Sequence, residues 1–368
     1  MVLRFRGGIY IMSRTINMLS GAHKVKGQGV LSAYEEQVSL VQNNLNDQYS
    51  VTINKLKYAD IMHYHTINLE YFLSLPFTNI KSSHIGYVHF LPETLETSIK
   101  LPKLLKKIFY KYVIEFYKSM DYLITVNPYF IDKLVEYGIP RDKVTYIPNY
   151  VSSKRFFKLE KSERNKIRKQ YNIDENKFIV LCVGQLQIRK GIFDFIEVAK
   201  SLPDIEFVWA GGFAFKKISD GYDEIKLVVD NPPKNVRFLG IIPREEMNNI
   251  YNMSDIMFLA SFEELFPMTI LESANCRIPI LLRDIDLYKG ILDGYYVKGT
   301  NVDEFKNEIL KLKDDETYYN KASQKAGLCS KFYSEENVTK IWRSYYNKIY
   351  KLGKKKGMKS SEKKNKNK

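Results

Sequence analysis

Cysteine and histidine are scarce in this chain, long apolar runs are absent, and acidic residues are outnumbered. The three cysteines, Cys182, Cys276 and Cys329, are odd in number and far apart. That excludes a disulfide framework and a cysteine metal box, and leaves reduced, buried thiols as the expectation. No run of about 18 apolar residues occurs, so no transmembrane helix is expected. The opening MVLRFRGGIYIMSRT lacks the apolar core of a secretory signal, which points to the cytoplasmic side of the cell. A second methionine, Met12, stands where the first strand pattern begins, so residues 1–11 read either as native or as an extension from an upstream start. All five histidines, His23, His63, His65, His84 and His89, fall in the first 89 residues. His63 and His65 alternate along one strand and share a face, but no further ligand follows at the usual spacing, and no metal or other cofactor is expected.

The chain has 368 residues, of which 45% are hydrophobic and 27% charged. That is too apolar for disorder and long enough for two domains at about 150 residues each. The net charge of +15 is uneven: residues 351–368 hold nine lysines against one glutamate, a net +8, and the remaining +7 is spread over the rest. Such an excess attracts anionic partners, either nucleic acid or an anionic membrane face.

Short apolar runs alternate with helix-period stretches throughout. In the first half the runs are RTINML, YSVTINK, DIMHYHTI, HIGYVHF, DYLITVN and KVTYIPN; in the second they are KFIVLCVG, IEFVWAGG, VRFLGII, DIMFLA and IPILLR. This alternation predicts parallel sheets covered by helices on both faces. The expected fold class is α/β, with two Rossmann-like domains, 1–155 and 156–350, facing a central crevice. Ligands of such sheets sit beyond the carboxyl ends of strands. Residues 351–368 have no apolar period and are expected to be a disordered polybasic tail.

Residues 261–276, SFEELFPMTILESANC, follow the strand run DIMFLA and lead into a helix. Pro267 suits the first helical turn, and Met268, Thr269 and Ile270 would then present free amides to a phosphate. An ordinary strand, loop and helix with acids at its start explains the same residues. Glu264 and Glu272 are eight residues apart, about 12 Å of helix rise, too far for a hydrolytic carboxyl pair and suited to gripping different parts of one long ligand. In residues 183–191, VGQLQIRKG, the cations Arg189 and Lys190 lie at a strand's carboxyl end, where they would neutralise a diphosphate or simply be solvated. Gly27 and Gly29, in KVKGQG, allow close approach of a phosphate or merely form a tight turn.

Together these segments resemble glycosyltransferase family 4, of the GT-B fold, over about residues 16–351. The Glu264–Glu272 spacing carries most of the resemblance, with IPNYV, VRFLGII and MSDIMFLASFEE in the family's order. It implies a retaining, metal-independent transfer from a UDP-sugar. By resemblance, Glu264 would bind donor-sugar hydroxyls, Glu272 the ribose, Lys190 the diphosphate and Gly29 a phosphate oxygen, while His89 would lie near the anomeric centre and orient the sugar. Ile241, Phe266, Met268 and Thr269 complete the implied donor site. The chain departs from the family at Gln185, where an arginine is usual and Arg189 would substitute, and at Pro267, where glycine is usual. The stretches INMLSGAHKVKGQGVLSAY, GYVHFLPETLETSIKLPKL, VNPYFIDKL and GQLQIRKG look like bacterial glycosyl-diacylglycerol glycosyltransferases, which implies a membrane glycolipid acceptor. That would make the first domain the acceptor-binding, membrane-facing one and the second the nucleotide-sugar domain, with its last helix packing back on the first. A polysaccharide or lipid-linked oligosaccharide acceptor remains the alternative.

Residues 100–118, KLPKLLKKIFYKYVIEFYK, hold six lysines and one glutamate, with apolar residues at helical spacing. The pattern fits a helix lying in a lipid headgroup layer, or a core-facing helix with a solvated lysine face. The resemblance favours the first, with Lys103, Leu105, Lys106, Lys107, Phe109 and Lys111 as membrane contacts of a peripheral protein on an anionic lipid surface. No recognisable nucleic-acid-binding module is present, and no nucleic-acid partner is expected.

Overall fold

The computed structural model describes residues 3–5, 8–10, 14–22, 29–55, 57–78, 82–92, 102–213 and 221–366. His23, Gly27, Lys100 and the stretch 93–101 lie outside the described residues. A small antiparallel pair, β1 (Leu3–Phe5) and β2 (Gly8–Tyr10), precedes the main body. It had no counterpart among the expected elements.

The first sheet contains β3 (Arg14–Leu19), β4 (Tyr49–Ile53), β5 (Ile61–Tyr64), β6 (Ser83–Val88), β7 (Tyr122–Thr125) and β8 (Val144–Tyr146). Its strands are all parallel and ordered β4-β3-β5-β6-β7-β8. The second contains β9 (Ile179–Val183), β10 (Glu206–Ala210), β11 (Val236–Gly240), β12 (Ile256–Leu259), β13 (Ile280–Arg283) and β14 (Val297–Gly299), parallel and ordered β11-β10-β9-β12-β13-β14. Both are doubly wound, so the order reverses between β3 and β5 in one and between β9 and β12 in the other. Loops leaving a reversal point part to opposite faces and open a crevice between them.

Among the described residues, four helices connect the first sheet: α1 (Gly29–Asn44), α2 (Leu69–Thr78), α3 (Lys103–Ser119) and α4 (Tyr129–Glu136). Between the sheets runs α5 (Lys161–Gln170); the second sheet carries α6 (Ile192–Ser201), α7 (Tyr222–Asp230), α8 (Met247–Met253), α9 (Met268–Asn275), α10 (Asp286–Lys289), α11 (Val302–Asp314) and α12 (Glu316–Phe332). Alternation along β5 decides the faces. Met62 and Tyr64 pack with α2, α3 and α4, whereas Ile61 shares a core with α1 and with the second sheet.

The last helix, α13 (Glu335–Lys366), returns from the second sheet to the first. Tyr346 OH lies 2.9 Å from His63 Nδ1 and accepts from Gln37 Nε2 at 3.1 Å, while Trp342 and Tyr346 are wholly buried. The helix does not stop at Lys351, as the expected disordered tail required. Once Val338–Ile349 is packed, the costly nucleus exists, and the lysine-rich continuation contains no proline to end the helix. An apolar period is needed to pack a helix, not to extend one.

Candidate donor site in the crevice

The two loops at the second reversal point meet. β9 ends at Val183, and the chain turns through Gln185 and a short helical turn, Ile188–Lys190, before α6. The turn closes at Gly191, which has φ of +72°, and a side chain there would collide with the carbonyl oxygen of Ala260 at 2.2 Å. Only glycine allows this approach. As a result the loop after β12 lies against the loop after β9: Phe262 N donates to Arg189 O at 2.8 Å, and Arg189 Nη1 to Glu263 O at 3.2 Å.

The contact pairs Lys190 Nζ with Glu264 Oε1 in a nearly solvent-free ion pair. Burial pulls the lysine below its usual range, and Glu264 opposes the shift. The loop that carries Glu264 is also held from outside its own domain. Asn127 Nδ2, just after β7, donates to Leu265 O at 2.9 Å and to Leu287 O at 2.8 Å, and Asn149 Nδ2 donates to Phe266 O at 3.2 Å.

Pro267 is the residue before the first turn of α9 rather than within it, because its backbone is extended, with ψ of 129°. Ile270 N therefore closes on Pro267 O at 3.2 Å, so the expected trio of free amides reduces to Met268 and Thr269. The side chains of Phe266 and Met268 are buried, Phe266 against Tyr333 at 4.9 Å, which leaves only their backbone to a ligand. A buried proline-flanked turn needs an apolar anchor, and these two supply it. Thr269 Oγ1, Ser261 Oγ and Gln187 Oε1 are buried without a hydrogen-bonding partner in the protein. Buried polar atoms of this kind call for a ligand or water. Ile241, half exposed after β11, covers the backbone of Gly212.

Glu272, on α9, is buried and has partners other than Glu264's. Arg244 Nη1 donates to its Oε1 at 3.0 Å and Tyr251 OH to its Oε2 at 2.6 Å. Burial raises its pKa, against the pull of Arg244 and Tyr251.

Across the crevice, Gly29 is the exposed first residue of α1, with nothing within 4 Å of a side chain placed on it. His89 follows β6 at its carboxyl end. Its ring stacks on Tyr87 at 4.4 Å and lies 6.0 Å from His65, and its Nε2 has no partner. Burial pushes its pKa down to about 3, so the ring is neutral. The structure thus brings Arg189, Lys190, Glu264 and Thr269 around one pair of loops and leaves Gly29, at the start of α1, and His89, after β6, in the first domain. Asn127, Asn149, Tyr251, Arg244 and Glu36 were not anticipated. Asn149 lies inside the IPNYV segment, but neutral amides carry no signal until their carbonyl partners are known.

Two facing, parallel, doubly wound sheets, with a cationic loop and an acidic loop at one reversal point, have the architecture of a GT-B glycosyltransferase. Residues 163–327 match the family described as glycosyl transferases group 1, and residues 50–155 match Glycosyltransferase Family 4. The chain belongs to glycosyltransferase family 4. It is 47% identical over 340 residues, 92% of this chain and 91% of the relative, to the alpha-galactosylglucosyldiacylglycerol synthase of Streptococcus pneumoniae. It is 28% identical over 236 residues, 63% of this chain and 70% of the relative, to the processive diacylglycerol alpha-glucosyltransferase of Acholeplasma laidlawii. Its fold is shared with Anabaena HepE, solved with UDP and glucose, at a TM-score of 0.72, 14% identity, and coverage of 90% of this chain and 99% of that one.

Proposed function

We propose that the protein transfers glucose or galactose from a UDP-sugar to monoglycosyl-diacylglycerol, giving diglycosyl-diacylglycerol, with retention of anomeric configuration and without a metal. The observation that carries this reading is the 47% identity to the pneumococcal synthase across nearly the whole of both chains. In the reaction the bond from the sugar's C1 to the UDP oxygen breaks and one from C1 to the acceptor oxygen forms, so negative charge grows on the departing diphosphate, which takes up the acceptor hydroxyl's proton. Lys190, Arg189 and the amides at the start of α9 stabilise that charge. Glu264 accepts hydrogen bonds from donor-sugar hydroxyls, Glu272 faces the ribose, Gly29 a phosphate oxygen, and the neutral His89 orients the sugar near its anomeric centre. The first domain takes the acceptor.

The acceptor's lipid tails require a membrane, and no described helix is long and apolar enough to cross one. We place the contact on α3. Its outer face exposes Leu104, Leu105 and Ile108 beside Lys103, Lys107 and Lys111. Phe109, by contrast, packs against the protein core, and Lys106 is partly covered, so these two contribute less to lipid contact than the helical pattern implied. The neighbouring α2 adds Leu69, Leu73 and Phe77, four residues apart on one stripe, with Phe77 88% exposed. Exposed apolar side chains rimmed by lysines are the composition of a face that lies in a headgroup layer.

The test is incubation with radiolabelled UDP-glucose or UDP-galactose and monoglucosyl-diacylglycerol in mixed micelles, with and without excess chelator. The expected product is a diglycosyl lipid whose new linkage is α by proton coupling, formed equally in chelator. Transfer only to a polysaccharide or to a lipid-linked oligosaccharide would overturn the acceptor, and restoration by a divalent ion would overturn the metal-free reading.

A further inference from the structure

Glu36 is 3% exposed on α1, and a carboxylate so placed is costly unless paired. Its partner comes from the other half of the chain. Arg244, in the turn after β11, donates through Nη2 to Glu36 Oε1 at 2.7 Å and through Nη1 to Glu272 Oε1 at 3.0 Å. One planar guanidinium thereby joins a carboxylate of each domain, a geometry that lysine cannot reproduce. The guanidinium lies 5.5 Å from the ring centre of buried Phe156, and its Nε is 3.9 Å from Glu35. The segment that connects the two sheets joins the same node. Arg155 approaches Glu36 at 3.5 Å, Ser152 N donates to its Oε2 at 3.3 Å, and Tyr150 OH donates to its backbone carbonyl.

The node also sets where α1 lies. α1 packs against α9, the helix that carries Glu272. Gly29 and Glu36 are seven residues apart, close to two helical turns, so they share a face about 10 Å apart along the axis. The helix whose first residue is Gly29 is thus gripped two turns later by the arginine that grips Glu272. Neither oxygen of Glu272 is exhausted by Arg244 and Tyr251, because each carboxylate oxygen has two lone pairs for hydroxyl donors.

We propose that Arg244 is a positioning residue that holds Glu272 toward the donor's ribose and, through Glu36, makes that hold depend on docking of α1 against the second domain. This rests on the reading of Glu272 as the ribose-facing group. Its consequence is that a residue of the first domain, remote in sequence from the donor loops, controls nucleotide affinity.

The experiment uses the full chain and calorimetric titration with UDP and with 2′,3′-dideoxy-UDP, for wild type, Glu36→Gln and Arg244→Lys. Wild type is expected to prefer UDP, and both variants to lose roughly tenfold in UDP affinity while binding the dideoxy compound almost as wild type does. The ratio of the two affinities is insensitive to partial unfolding, because unfolded chain binds neither nucleotide. With UDP-sugar as substrate, Glu36→Gln should raise the donor KM by a similar factor with less change in kcat. A wild type that prefers UDP beside a Glu36→Gln variant with unchanged preference overturns the Arg244 link alone. A wild type that binds both nucleotides equally removes the ribose role of Glu272 and the proposal with it.

Discussion

Lys190 and Glu264 are 74 residues apart in sequence and form a pair with little access to water. Removing one member of a buried pair leaves the other uncompensated, at a cost of about 3–5 kcal/mol. Lys190→Ala and Glu264→Ala should therefore each lower the melting temperature as well as abolish most transfer. The double variant Lys190→Met, Glu264→Leu should recover stability and remain inactive. Thermal melting beside turnover at saturating donor checks this, and an active double variant would remove both residues from the donor site. The histidines supply a second prediction at this scale. Burial lowers the pKa of His63 to about 3 and that of His65 well below its usual range, and the unfolded chain titrates near 6.5. Between those values the unfolded state binds more protons, so stability is complete above about pH 6.5 and is lost as pH falls toward 3, by up to about 1.4 kcal/mol per pH unit for each ring. Denaturant unfolding between pH 7 and pH 4.5 should show that slope, and His65→Gln should reduce it. An unchanged slope would mean that His65 is protonated in the native state.

Helix α3 has one buried and one exposed face. Val113, Phe116 and Tyr117 are buried, and Tyr112 OH donates to Ile67 O at 2.6 Å, while Leu104, Leu105 and Ile108 stand in solvent. Replacing Leu104 and Leu105 with glutamine should leave the melting temperature within about 2 °C of wild type, since no packed contact is lost. Binding to vesicles with anionic lipid should fall at all salt concentrations. Phe109→Gln should instead lower the melting temperature, because that ring packs on the core. If the Leu104, Leu105 variant floats with vesicles as wild type does, the lipid contact is not made by α3.

For the molecule as a whole, α13 acts as the clasp. Trp342 and Tyr346, wholly buried against the first sheet, follow a helix that belongs to the second. Trp342→Ala should cost about 3–5 kcal/mol, and truncation before Glu335 should prevent folding of the first sheet. Truncation after Tyr350 removes eight net positive charges, and the described side chains Lys351, Leu352 and Lys354 are exposed. It should leave the melting temperature nearly unchanged and weaken vesicle binding mainly at low salt, because exposed charges are screened over about 10 Å at 0.1 M ionic strength. Loss of binding that does not depend on salt would mean that the tail is not acting by charge alone.

Local pattern was enough for the strands of both sheets apart from β14, Val297–Gly299, where the exposed Lys298 breaks the apolar run. The strand runs are continuous and apolar because parallel strands are covered on both faces, and that signature survives without knowledge of neighbours. The acidic loop, the lysine loop and the basic amphipathic helix were legible for a similar reason: each is a contiguous stretch whose charge or period is visible in one segment. What the chain's order alone could not decide was pairing. That Lys190 meets Glu264 depends on the reversal point between β9 and β12, that Phe109 faces inward depends on how α3 sits on α2, and that the lysine tail is helical depends on a nucleus packed upstream. Glu36, Arg244 and Glu272 carry ordinary helix and turn signals in sequence. They become one bridge only when two domains close, since a charge reveals its partner through space and not through spacing along the chain.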